Sequence, residues 1–270
     1  MKTSGIILIL IALARGMFAQ APAQTAKRQA PEDLTGYWVS VVTEGWRYRM
    51  ITPPKGDYGT GTWPVPLNAE GIRVTNAWDP AKDEAAGEAC RAYGGGGIMR
   101  IPGRVHITWQ DDYTLKVEFD AGTQTRLFHF GGTLRADIAS SLEGYSVATW
   151  EAPPPGRGAP AGGGGGGTGF EVSGMPPPVN ESQNQRAGTL KVVTTHLKPG
   201  YLRKNGVPYS ANATVTEYLN RTNEPNGDSW LFDTTIVEDP TYLQGPFITS
   251  ENFKHQADNT GWNPSACDAR

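Results

Sequence analysis

Alternation of apolar and polar residues, rather than a helical period, dominates this chain from residue 38 onward. Trp38–Thr43, Arg104–Trp109, Thr114–Phe119, Thr123–Phe130 and Tyr145–Glu151 read as strands, and so do Thr189–Leu197, Ala213–Arg221 and Ser229–Val237. Trp46–Ile51 follows the first of these after Glu44-Gly45 and reads as a further strand. Short turns such as Gln110-Asp111-Asp112 and Asp120-Ala121-Gly122 separate several of them. The count is about nine or ten strands. An antiparallel sheet of that length closes into a barrel or packs as a sandwich. The fold class is therefore all-β and antiparallel, with one short helix over Asp79–Cys90. That helix has an acidic N-cap and Pro80 at its first position. Gly94–Gly97 is expected to stop it.

Two segments break the pattern. Ile6–Leu13 is an apolar run behind Lys2, followed by Ala19-Gln20-Ala21. This reads as a cleaved signal peptide over residues 1–21, since the run is far shorter than the roughly 20 residues a spanning helix needs. A secreted or periplasmic location follows. Residues 22–33 are polar and expected to be disordered. Residues 152–188 hold 11 Gly and 7 Pro. They read as a disordered loop inside one domain covering 34–270, with a linker between two domains as the alternative.

The opening of the first strand, Leu34-Thr35-Gly36-Tyr37-Trp38, resembles the Gly-x-Trp signature of lipocalin-like barrels. The resemblance implies that Trp38 packs across the closed end of the barrel as a plug. Trp46–Met50, Ile98–Gly103 and Val237–Pro240 also make the chain resemble secreted, uncharacterised bacterial proteins, a likeness that implies no activity. The stretch after Val237 reads as irregular, without the late helix of classical lipocalins.

Net charge is −3, and removing Lys2 and Arg15 with the signal makes the rest more acidic. That excludes an electrostatic case for nucleic acid or anionic membranes. Two cysteines, Cys90 and Cys267, favour a disulfide in an oxidising compartment, with two separate thiols as the alternative.

The candidate chemistry is sparse. His106, His129 and His196 all fall in expected strands and are candidates for a metal site or acid–base catalysis if one cavity gathers them. No His-Glu-x-x-His, phosphate-loop or Gly-x-Ser-x-Gly motif is present. Arg47 and Arg49 alternate with Trp46 and Tyr48. On one strand face the two guanidinium groups could bind a carboxylate or phosphate, with Glu44 as a rival partner. Eight Trp and ten Tyr fill a core or line an apolar pocket. The leading expectation is a cofactor-free barrel binding a small apolar or aromatic, possibly carboxylated, ligand at Trp46, Arg47, Tyr48 and Arg49. The alternative is an isomerase, lyase or hydrolase on the same barrel that uses the histidines, with or without a metal.

Overall fold

The computed structural model describes residues 25–43, 45–59, 64–133, 137–151 and 188–270. The expected signal peptide and residues 152–187 lie outside the described residues, as does Glu44.

Inward apolar positions drive nine strands into a closed ring. They are β1 (Gly36–Val41), β2 (Arg104–Trp109), β3 (Thr114–Phe119), β4 (Gln124–Phe130), β5 (Tyr145–Glu151) and β6 (Thr189–Thr195), then, after a separate hairpin of β7 (Gly200–Arg203) and β8 (Val207–Tyr209), β9 (Thr214–Asn223), β10 (Ser229–Glu238) and β11 (Phe247–Gln256). The order around the ring is β1-β11-β10-β9-β6-β5-β4-β3-β2. β1 closes it, because Trp38 lies opposite both His255 of β11 and Val105 of β2. The barrel is mixed, not wholly antiparallel. β4 and β5 run parallel, Phe128–Phe130 against Ser146–Ala148. A parallel pair needs a long return connection, here residues 131–144. No helix of the described residues is long and apolar enough to cross a membrane.

The inward positions divide into two halves. Trp38, Ile107, Val117, Phe128, Leu190, Val192, Leu231 and Phe253 are at most 1 % exposed and form a continuous apolar core. Each such side chain contributes about 1.5–3 kcal/mol by leaving water. The other half is polar: Arg126, Thr194, Glu217, Asp233, Thr235 and Glu251 are all buried inside the ring.

Trp38 is fully buried, and its Nε1 donates to the carbonyl of Leu34 at 3.0 Å. Gly36 has φ +119°, and a Cβ there would meet Nε2 of His255 at 2.8 Å. Both residues of the Gly-x-Trp signature thus have a steric reason, and the barrel is compatible with a lipocalin-like fold. Residues 25–33 depart from the expected disorder. They carry a short helix, Ala26–Gln29, and Glu32 accepts the backbone N–H of Arg221 at 2.9 Å. Burial raises the Glu32 pKa, while that bond and the Arg221 charge oppose the rise.

The helix of Asp79–Cys90 is shorter than expected. An α-helix spans Pro80–Ala85, with Asp79 capping the N–H of Ala81, and Ala89–Tyr93 is a separate 3-10 turn. Gly94–Gly97 does more than stop a helix. A Cβ on Gly95 would lie 2.5 Å from the carbonyl of Glu143, and one on Gly96 would lie 2.7 Å from the Tyr209 ring. The run lets backbone press against Tyr209 and delivers Ile98, Met99 and Arg100 into the barrel mouth. Gly96→Ala is expected to cost about 1–3 kcal/mol through overpacking. Urea denaturation checks this, and an unchanged midpoint would count against the tight packing.

Cys90 and Cys267 are joined, with Sγ–Sγ 2.04 Å. The bond holds the C-terminal tail on the barrel, where the Ser265 N–H also reaches the Asp120 carbonyl at 2.8 Å. The disulfide is compatible with an extracellular or periplasmic location.

Candidate functional site

β11 runs on beyond the end of β1. Asn252–Gln256 pair with Val41–Tyr37, whereas Phe247–Glu251 are paired with β10 alone. The segment after β1 covers this lateral gap. It is not the strand that its alternation suggested. Gly45 takes a left-handed conformation (φ 58°), and Trp46–Arg49 forms one helical turn closed by the Met50 N–H on the Trp46 carbonyl at 2.8 Å. With no free β1 partner there, the segment turns on itself instead of pairing.

That turn separates residues that a strand would have kept together. Trp46 is 59 % exposed and Arg47 also faces solvent. Arg49 is buried, and Tyr48 lies partly covered. Tyr48 and Arg49 therefore reach a cavity of about 30 Å³ between the turn and the barrel wall, and Trp46 and Arg47 do not line it. Glu44, the rival partner for these arginines, lies outside the described residues.

Two further arginines line the same cavity, Arg100 behind the glycine run and Arg203 at the end of β7, together with Phe247 and Glu251 of β11. The Arg49 Nε donates to the Arg100 carbonyl at 3.0 Å, which ties the turn to Ile98–Arg100, the segment that plugs the barrel mouth behind the glycine run. The Arg203 guanidinium lies 4.0 Å from the centre of the Tyr48 ring, and that of Arg100 lies 5.0 Å from the centre of Phe247. Such stacking orients a guanidinium and leaves its edge open to donate. Among the described residues, Nη1 and Nη2 of Arg100 are buried and have no hydrogen-bond partner.

The electrostatics favour an anion. Burial lowers the Arg100 pKa to about 10. Glu251 opposes that fall, and Arg203 and Arg49 add to it. Arg203 is also brought down to about 10, chiefly by burial. Both stay protonated at neutral pH, so three cations converge where water is scarce. An anion placed among them gains far more than it would in bulk solvent.

Beneath the cavity lies the polar half of the barrel. Arg126 grips Glu217 with two hydrogen bonds, at 2.7 and 2.5 Å, and reaches Thr194 at 3.1 Å. Burial opposes the Arg126 charge, but Glu217 outweighs it and the pKa is raised. Asp233 faces Glu251 across the β10–β11 ladder. Its carboxyl is pushed well above the usual range by burial and by the charges of Glu217 and Glu251.

The histidines stand elsewhere. On β2, Val105 and Ile107 point inward, so His106 points out. It stacks on Tyr37 with centroids 4.0 Å apart, and its Nδ1 lies 3.2 Å from Glu118. His129 likewise faces outward from β4, stacked on Tyr145. Their partners on β3, Glu118 and Thr114, are separated by about 13 Å of strand at ~3.3 Å per residue. His196 follows β6 with φ 56° and contacts Thr195 at 2.9 Å. The barrel does not gather the three. Among the described residues, no group of three His, Cys, Asp or Glu side chains could hold a metal.

Fold and site together define a closed, mixed β-barrel with a buried cationic cavity beside a gap in its wall. No protein-family model matches the chain, and no curated protein or solved structure matches it.

Proposed function

We propose that this barrel binds a small carboxylate-bearing ligand outside the cytoplasm, with its carboxylate held by Arg100, Arg49 and Arg203. The observation that carries the reading is the Arg100 side chain, whose two terminal nitrogens are buried in the cavity lining with no hydrogen-bond partner among the described residues. A buried donor without a partner costs about 1–3 kcal/mol, and more when charged. A carboxylate accepts from two parallel N–H groups of one guanidinium and removes that cost.

The cavity volume sets the limit on what enters. About 30 Å³ accommodates a group the size of two water molecules, not the roughly 300 Å³ of a whole drug-sized ligand. The charged end of the ligand goes in, and any apolar or aromatic remainder lies at the mouth, beside Tyr48 and Phe247.

Calorimetric titration with acetate and benzoate tests this. Both are expected to bind the wild-type protein. Arg100→Met keeps an aliphatic stem against Phe247 and is expected to weaken binding about ten- to a hundredfold, from the loss of a charged hydrogen bond worth about 1.5–3 kcal/mol. Absence of heat with either probe, or equal affinity in the variant, would count against the reading.

A further inference from the structure

Among the described residues, Glu251 is the one acid in the cavity lining. It is 1 % exposed and sits between two sets of charges. Towards the mouth, Arg100 from the glycine-run plug and Arg49 from the covering turn act on it, and Arg203 from β7 shares the lining. Towards the barrel interior it meets Glu217 from β9 and Asp233 from β10. Arg126 from β4 is engaged by Glu217 and gives Glu251 no direct bond. On its own strand, Thr249 donates to Glu251 at 3.3 Å.

This placement makes Glu251 and an incoming anion rivals for the same guanidinium groups. If both were ionised, two negative charges would share one desolvated cavity, with further carboxyls behind them. Like charges at such range cannot both stay ionised cheaply. We infer that Glu251 is the internal counter-ion of the empty site, and that an incoming carboxylate replaces it while Glu251 takes up one proton from solvent. The inference rests on the anion-site reading above. The exchange is electroneutral: one negative charge enters, and one proton adds to a Glu251 oxygen.

Burial already raises the Glu251 carboxyl above its ordinary 4.5, and Arg100, Arg49 and Thr249 oppose that rise. A ligand carboxylate beside the same arginines offsets their charge and raises it further. The sign of the linkage follows. Affinity is highest and flat below the pKa of the empty site. It falls as pH rises between that pKa and the higher one of the filled site, then levels off.

The test is titration of the full chain with benzoate at pH 5.5, 6.5 and 7.5, where the probe is ionised throughout. Each titration is run in two buffers of different ionisation enthalpy. The expected result is buffer-dependent heat equivalent to uptake of up to one proton, with affinity falling by up to tenfold per pH unit. Glu251→Gln should bind benzoate with neither pH dependence nor proton uptake. Buffer-independent heat at constant affinity, or a Glu251→Gln variant that keeps the wild-type pH profile, would overturn the coupling and leave the anion site standing. Failure of benzoate to bind at every pH would remove the site and the coupling together. If Glu251→Gln does not fold, the proton count of the wild type decides alone.

Discussion

Arg126→Met is expected to destabilise the protein by about 3–5 kcal/mol, because it strands a carboxylate at the centre of the barrel. Arg126 and Glu217 are both without side-chain exposure, and each of the two Glu217 oxygens accepts one Arg126 nitrogen. Deleting the cation leaves Glu217 beside Asp233 without the charge that both of its oxygens bond. Arg126→Met combined with Glu217→Leu removes both charges and should recover most of the loss, since apolar side chains of similar volume replace buried ion pairs at little cost. Urea denaturation at pH 7 measures both the loss and its recovery. A single variant as stable as wild type at pH 7 would show that the pair does not bear on stability.

Reducing the Cys90–Cys267 bond is the second large effect. The two residues lie 177 positions apart, so the bond closes nearly the whole barrel into one loop. Chain entropy assigns such a loop about 5 kcal/mol, drawn from the unfolded state rather than from native contacts. For a domain of this size, that lowers the melting temperature by roughly 10–20 °C. Cys90→Ser with Cys267→Ser should reproduce the shift, and reductant should then have no further effect on that variant. The tail has other anchors, such as the Asp268 N–H on the Tyr93 hydroxyl at 3.3 Å, so the barrel itself is expected to fold without the bond. Melting that ignores reductant would place the stabilisation elsewhere.

The sequence disclosed the strands with apolar inward faces and hid those with polar ones. Thr114–Phe119 alternates Leu115, Val117 and Phe119 inward against Lys116 and Glu118 outward, and it folds as read. β11 closes the ring yet read as irregular, because its inward positions include Thr249 and Glu251 as well as Phe247 and Phe253. A strand facing a polar interior has no apolar period to find. Trp46–Met50 failed in the opposite direction. Its alternation is real, but β1 ends at Val41 and Gly45 turns left-handed, so the residues coil into one helical turn. Of the four ligand candidates there, Tyr48 and Arg49 reach the cavity.

Arg203 and Glu251 carried no signal, and Arg100 only its place after four glycines. They lie on a glycine-led plug, a short hairpin and a strand, far apart along the chain, and no local spacing joins them. Ile98-Met99-Arg100 after four glycines was the nearest clue, and it needed Tyr209 to give it meaning.

The sequence by itself determined the β class, the barrel's apolar half, the Gly36–Trp38 opening and the pairing preference of its two cysteines. These follow from local periodicity, steric need and residue type, which neighbouring residues encode. The tertiary structure alone decided the closure by β11, the parallel step between β4 and β5, and the meeting of three arginines with a buried acid. Those depend on which distant segments share one interior, and the charge balance there is a property of the whole ring.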